Sequence, residues 1–219
     1  MQKKESQKAK KERAAAIVDS LKQIYPDATC ALTYEGDAWR LLVMGRLSAQ
    51  CTDARVNLVC RELFRVYPNA EAMANADPDD VGRYIFSCGL YKTKARDLVA
   101  ASKMLIEEFG GKLPDTMEAL LTLPGVGRKI ANLLLGDIYH KPAIVADTHC
   151  IRISRRLGLV PIADKAPEKV EKHLVSLIAP EEQSDFCHRI VQFGRDYCMA
   201  RGNDCESCPL AHLCDKNEV

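Results

Sequence analysis

Apolar residues recur at spacings of three and four along almost the whole chain, the pattern of helices that each bury one face. It predicts helices over residues 13–25 and 37–50, the second opened by Asp37 as an N-cap. A third runs from Asp53 to about Tyr67 and is closed by Pro68. Asp77-Pro78 sets a capping carboxylate before a proline at the first helical position, opening a helix that ends at Gly89. Residues 92–109 continue the pattern and stop at Gly110-Gly111, and a short helix is expected at 115–121. Helices at 128–138, 148–157, 167–179 and 182–195 lead into a cysteine-rich tail. No credible β-hairpin and no solenoid repeat stands out, so the expected class is all-α. Short turns join the helices, and a division is therefore expected from packing. A six-helix domain would span 31–141, with residues 1–30 returning to pack beside 142–219.

Composition supports this reading. Apolar residues make up 47% of 219 and aromatics only 6%, which suits helices packed through Leu, Ile, Val and Ala better than sheets. No apolar run approaches the roughly 18 residues of a membrane span, and the Lys-rich start lacks the apolar stretch of a signal peptide. The expectation is a soluble, cytoplasmic protein, with no membrane partner and no reason to be other than a monomer. Ten cysteines in a reducing compartment should stay thiols. Cys30, Cys51, Cys60, Cys88, Cys150 and Cys187 are scattered and read as small buried apolar residues, with no role assigned.

Charge is near balance overall, at +1, but unevenly placed. Lys3, Lys4, Lys8, Lys10, Lys11 and Arg13 outweigh Glu5 and Glu12 at the start, where a solvated tail and a DNA-contacting arm are equally good readings. Arg128, Lys129, Lys141, Arg152, Arg155 and Arg156 outweigh Asp137 and Asp147 between 122 and 160. Such local surpluses bind a polyanion even on a near-neutral protein, because screening confines the effect to about 8–10 Å.

Three segments carry candidate chemistry. The tail spaces Cys198, Cys205, Cys208 and Cys214 by six, two and five residues, a ligand set for one inorganic centre, with zinc and iron–sulfur both open from the spacing. Leu123-Pro124-Gly125-Val126-Gly127-Arg128-Lys129 joins a short helix to a longer one. Glycines on either side of Val126 allow a tight reversal with positive φ and free backbone N–H groups at a helix start, an arrangement that binds phosphate without reading bases. An ordinary helix corner is the competing reading. Lys129, beside Arg128 and just inside the helix, sits in a positive field that favours the neutral, nucleophilic amine, and partial burial would add to this. Asp147, in Val145-Ala146-Asp147-Thr148-His149, is either the N-cap of the next helix or a carboxylate that takes the lysine proton and steadies positive charge on a sugar ring.

Together these segments resemble the helix–hairpin–helix DNA glycosylases of the endonuclease III type, over about residues 14–216. The resemblance implies a two-lobed helical glycosylase fold acting in base excision repair on double-stranded DNA that holds a damaged base or an abasic site. It implies a bifunctional glycosylase and abasic-site lyase removing oxidised pyrimidines. Lys129 would attack C1′ and form a Schiff base that undergoes β-elimination, assisted by Asp147. Gly125, Gly127 and Arg128 would grip backbone phosphate, and the four tail cysteines would hold a [4Fe–4S] cluster at 198–214.

Two further segments match the family. Leu47-Ser48-Ala49-Gln50-Cys51-Thr52-Asp53 resembles the loop whose glutamine fills the space of the extruded base, pointing to Gln50, although a polar helix terminus reads equally. Cys88-Gly89-Leu90-Tyr91-Lys92 resembles the loop whose leucine wedges into the stack, pointing to Leu90, which could instead make a helix-cap contact. Lys92, Lys94 and Arg96 beside it favour the DNA reading. His149 is read as a contact to the damaged strand or as a satisfied helix-terminal histidine. Gly45 and Arg46 depart from the family's smooth apolar run and bear on the shape of the base pocket. Adenine-specific relatives carry a catalytic glutamate near Gly45 and lack the lysine, so this chain sides with the lysine-using branch. The alternatives are a mismatch or alkylated-base glycosylase, a non-catalytic iron–sulfur DNA-binding protein, and a zinc-holding tail on an unrelated helical protein.

Overall fold

The computed structural model describes residues 5–218, so Lys3 and Lys4 of the basic N-terminal run lie outside the described residues. Every regular element among the described residues is helical. They are α1 (Gln7–Ile24), α2 (Ala38–Leu47), α3 (Asp53–Val66), α4 (Ala70–Ala74), α5 (Pro78–Tyr84), α6 (Tyr91–Phe109), α7 (Met117–Leu120), α8 (Arg128–Asp137), α9 (Thr148–Arg156), α10 (Pro167–Leu177) and α11 (Gln183–Asp196), with 3-10 turns at Phe86–Cys88, Pro180–Glu182 and Ala211–Leu213. No helix is long and apolar enough to cross a membrane. The chain forms two compact units: a contiguous one, Cys30–Tyr139, and a split one made of residues up to Thr29 and from His140 onward.

Local chemistry sets the helix ends. Ser6, Asp37, Thr52, Asn69, Asp77, Thr116 and Asp147 each accept a bond from a backbone N–H of the first turn. Such caps are worth about 1 kcal/mol apiece. The Ser6 cap carries α1 one and a half turns further back than the apolar period predicts, so Lys8, Lys10 and Lys11 ride on a helix. Five-residue α4 is too short to show a period and is missing from the sequence reading. The helix expected to reach Gly89 stops at Tyr84 and tightens into the Phe86–Cys88 turn, because Gly89 and Leu90 both take positive φ. Likewise α2 ends at Leu47 rather than residue 50, since Gln50 sits at φ +55.

In the split unit, Ile17 and Leu21 of α1 join Ile153, Leu174, Phe186 and Phe193 in one apolar core. Arg13 turns inward from α1 and donates to the carbonyls of Leu157 (2.6 Å) and Leu213 (2.9 Å). It is thereby a structural tie, and only the exposed lysines of the run remain candidates for a DNA arm.

The contiguous unit is organised around a buried cation. Lys94 of α6 is fully enclosed, and its Nζ donates to the carbonyls of Leu47 (2.8 Å), Ala49 (2.7 Å) and Cys88 (2.8 Å). Three acceptors match the three N–H bonds of an ammonium, which is what makes burial of the charge tolerable. Lys94 therefore does not meet phosphate, contrary to the sequence reading that grouped it with Lys92 and Arg96. Replacing it with a side chain that cannot donate strands three buried carbonyls. Lys94→Met is expected to lower unfolding free energy by about 2–4 kcal/mol in a denaturant titration, where a loss under 0.5 kcal/mol would contradict the role.

Candidate functional site

Lys94 brings two of the sequence-predicted segments to one anchor. Leu47 and Ala49 lead into Gln50, and Cys88 precedes Leu90 by two residues, so one ammonium sets the position of both loops. Gln50 (φ +55) and Leu90 (φ +48) are both non-glycine residues in the left-handed region, and both are exposed, Leu90 at 58%. A branched apolar side chain held out in solvent on an unfavourable backbone costs free energy twice, once in strain and once in hydration. Such positions concentrate at sites that act on a ligand. Phe86, 65% exposed and packed on the ring of Tyr91 with centroids 4.8 Å apart, stands in the same segment. Its exposure had no signal in the sequence beyond the break in the helical period.

The turn between α7 and α8 is built on Leu123 and Val126, both buried, with the Val126 N–H donating to the Leu123 carbonyl at 3.0 Å. Gly125 has φ +75, and a Cβ there would stand 2.6 Å from Arg46 Nε and 2.8 Å from Asp97 Cβ. It is needed on both counts. Gly127 is different: it caps α8 in an extended conformation (φ −98, ψ 175), so only one of the two glycines takes the positive φ expected of them. Open space surrounds its missing Cβ.

Arg46 and Gly45 find their explanation here. Arg46 Nε donates to Asp97 at 2.8 Å, and the pair forms the floor under Gly125. A Cβ on Gly45 would lie 3.4 Å from Ile130 and 3.5 Å from Leu133 of α8. The departure from an apolar run thus seats the hairpin and its following helix.

Arg128 and Lys129 open α8, both exposed. The partial burial expected to help activate Lys129 is absent, and what remains is its place in the first turn beside a second cation.

In the split unit, Asp147 is half-buried and its Oδ1 accepts from the Cys150 N–H at 2.7 Å. The N-cap reading of this residue is what the geometry shows, and the cap engages Oδ1 alone. His149 packs against α11 at Gly194, where a Cβ would lie 2.4 Å from its Nδ1, and Arg152 stands 3.3 Å from the same nitrogen. The ring is held within the unit on that side.

The arginines of α9 are also inward. Arg152 donates to the Cys198 carbonyl (2.9 Å), and Arg156 to the carbonyl of Met199 (2.6 Å) and to Cys198 Sγ (3.4 Å). Arg155 donates to the Ile162 carbonyl at 3.0 Å. Their charge, which the sequence reading added to a polyanion-binding surplus, goes to fastening the segment that begins the tail, through Arg152 and Arg156, and the loop after α9, through Arg155.

Cys198, Cys205, Cys208 and Cys214 line one pocket, floored by Phe193, Leu157 and Tyr197. Among the described residues they do not converge on a single point as ligands of one ion. Burial, reinforced by the neighbouring thiols, pushes Cys208 and Cys214 up from the ordinary thiol range. Four thiolates crowded into an apolar hollow repel one another, and a bound cationic centre relieves both burdens. N–H···S bonds are already in place, from Lys216 N to Cys214 Sγ at 3.2 Å as well as from Arg156. This all-sulfur donor set fits iron or zinc and disfavours hard, oxygen-seeking cations.

Comparison with known proteins agrees with these features. Residues 43–180 match the model of the HhH-GPD superfamily base excision DNA repair proteins. Endonuclease III of Synechocystis sp. is 44% identical over 94% of this chain and 93% of its own. The Bacillus subtilis endonuclease III is 39% identical over 92% of this chain and 91% of its own. A trapped endonuclease III–DNA covalent intermediate superimposes with a TM-score of 0.89 at 39% identity, covering 94% of this chain and 96% of the other. With a turn, a lysine and a cysteine tail in the expected order on an all-helical scaffold, the chain belongs to the endonuclease III family of the HhH-GPD base excision repair superfamily.

Proposed function

We propose that this protein is a bifunctional DNA glycosylase and abasic-site lyase of base excision repair, acting in the cytoplasm on oxidised pyrimidines in duplex DNA. The observation that carries the reading is Lys129, an exposed amine in the first turn of α8 directly after the Gly125 turn, in a chain of this family. A relative of the same fold has been trapped as a covalent intermediate with DNA, the species a lysine nucleophile would form.

Backbone N–H groups at Gly127 and the start of α8, with Arg128, hold a backbone phosphate and fix the strand. Leu90 enters the stack and Gln50 takes the space of the extruded base, offsetting part of the few kcal/mol that unstacking costs. Unprotonated Lys129 Nζ attacks C1′. The C1′–N bond breaks, and its electron pair leaves with the base, which takes up a proton. Ring opening gives the Schiff base. Loss of a C2′ proton then expels the 3′ phosphate, which cuts the strand. Asp147, through the oxygen its cap leaves over, takes the proton from the amine and stabilises positive charge as it develops on the sugar. His149 serves to fix the Asp147 turn against α11, and contacts the strand with whatever edge that packing leaves exposed.

Cys198, Cys205, Cys208 and Cys214 hold a [4Fe–4S] cluster. One thiolate per iron would call for four cysteines around a multi-atom group, and all four tail cysteines line one pocket. When bound, the cluster ties four points of the tail together through iron–thiolate bonds. Arg152 and Arg156 hold the same segment from α9.

Borohydride added to the protein with duplex DNA containing an oxidised pyrimidine or an abasic site should give a covalent band; Lys129→Ala should bind that DNA and give none. Persistent trapping by the variant would move the nucleophile elsewhere. Asp147→Asn keeps an equally good N-cap, so unfolding free energy should change by less than about 0.5 kcal/mol while the single-turnover rate falls about 100-fold or more. Equal losses in both would reduce Asp147 to a cap. The purified protein should absorb in the visible near the iron–sulfur band, and Cys205→Ser should lose that absorbance together with DNA affinity; a colourless, zinc-containing wild type would refute the cluster.

A further inference from the structure

Six cysteines lie outside the tail, and the structure gathers four of them into two pairs. Cys150 and Cys187 touch inside the core of the split unit, where no oxidant reaches them. Cys51 and Cys88 are differently placed. Cys51 follows Gln50 in the loop before α3 and is only half-buried, whereas Cys88 ends the 3-10 turn two residues before Leu90 and is 1% exposed. Cys51 stands close enough to the Cys88 thiol to raise it. The backbones that carry them are already joined, since Lys94 Nζ holds the carbonyls of Ala49 and Cys88 at 2.7 and 2.8 Å.

We propose that Cys51 and Cys88 are a modification site, oxidised by peroxide to a reversible disulfide that joins the Gln50 loop to the Leu90 loop and weakens binding of damaged DNA. Exposure sets the order of events. The Cys51 thiolate attacks one oxygen of the peroxide; an S–O bond forms, the O–O bond breaks, and water leaves, giving the sulfenic acid. Sulfur of Cys88 then attacks sulfur of Cys51, the S–O bond breaks, and a second water carries away the Cys88 proton. Two thiols and one hydrogen peroxide become one disulfide and two waters, and a dithiol reductant reverses the change. Lys94 and Arg55 favour the Cys88 thiolate, while burial, the larger effect, pushes the Cys88 thiol up to about 11. Cys88 accordingly waits as the resolving thiol, and Cys51 meets the oxidant.

Consequences for DNA follow from geometry. A disulfide requires its own dihedral near 90° and a Cβ separation of about 3.8 Å, so closing it moves the backbone next to Gln50 and Leu90. Both residues sit at positive φ, with little freedom to absorb a shift. This step rests on the roles proposed above for those two side chains.

The test treats the full, cluster-loaded protein with hydrogen peroxide, then digests one portion without reduction for mass spectrometry and measures binding of the other to duplex DNA with one abasic-site analogue. A Cys51–Cys88 linked peptide is expected, with affinity reduced about tenfold or more and restored by dithiothreitol. Cys51→Ala, given the same treatment, should keep its affinity; if it loses affinity equally, peroxide acts through the cluster and the proposal falls. Absence of the linked peptide, or a linked peptide with unchanged binding, also overturns it. Failure of the reduced protein to cut abasic DNA would instead count against the lyase reading and leave the linked peptide to be judged separately.

Discussion

The contiguous unit depends on one buried ammonium. Lys94 satisfies three carbonyls, one at the end of α2, one two residues beyond it and one from the turn before α6. Without it, each loop would have to find its own hydrogen bonds in water and drift apart from the other. With it, two exposed segments more than forty residues apart in sequence share a common origin of coordinates. The strained backbones at Gln50 and Leu90 are tolerable for the same reason, since a well-anchored base is what lets a tip stay in an unfavourable conformation. A second anchor, the Arg46–Asp97 pair beneath Gly125, does for the hairpin what Lys94 does for the loops.

In the split unit the same device appears with arginine. Arg13, Arg152, Arg155 and Arg156 all donate to backbone carbonyls of loops and of the tail. A guanidinium presents several donors in a rigid fork, so one side chain organises a length of irregular chain that has few hydrogen bonds of its own. The tail needs this because it carries little regular structure beyond the turn at Ala211–Leu213. The arginine ties thus hold the loop that carries the four tail cysteines.

Legibility in the sequence followed the range of the physics. Caps and apolar periods are local, and they located most of the helices; Asp37, Asp77 and Asp147 all cap as their neighbours in sequence imply. Ligand spacing is local too, so the tail cysteines could be grouped before any fold was known. Charge is another matter. Whether a lysine or arginine meets phosphate or a buried carbonyl depends on partners far along the chain, so Lys94 and the α9 arginines were misjudged while Lys92 and Arg128 are exposed as expected. Cysteine proximity fails for the same reason: nothing near Cys51 in sequence announces Cys88. Gly125 was legible as a turn residue, but its near-collision with Arg46 was not.

Arg13 reaches the carbonyl of Leu213, which makes the split unit a structure closed by residues 200 positions apart in the chain. During synthesis α1 leaves the ribosome long before α10 and α11, its neighbours in the core, exist. The contiguous unit has no such wait, because all of its anchors lie between Cys30 and Tyr139. The order of assembly is therefore written into the topology: Lys94 and its loops are set first, while the cysteine loop is completed last.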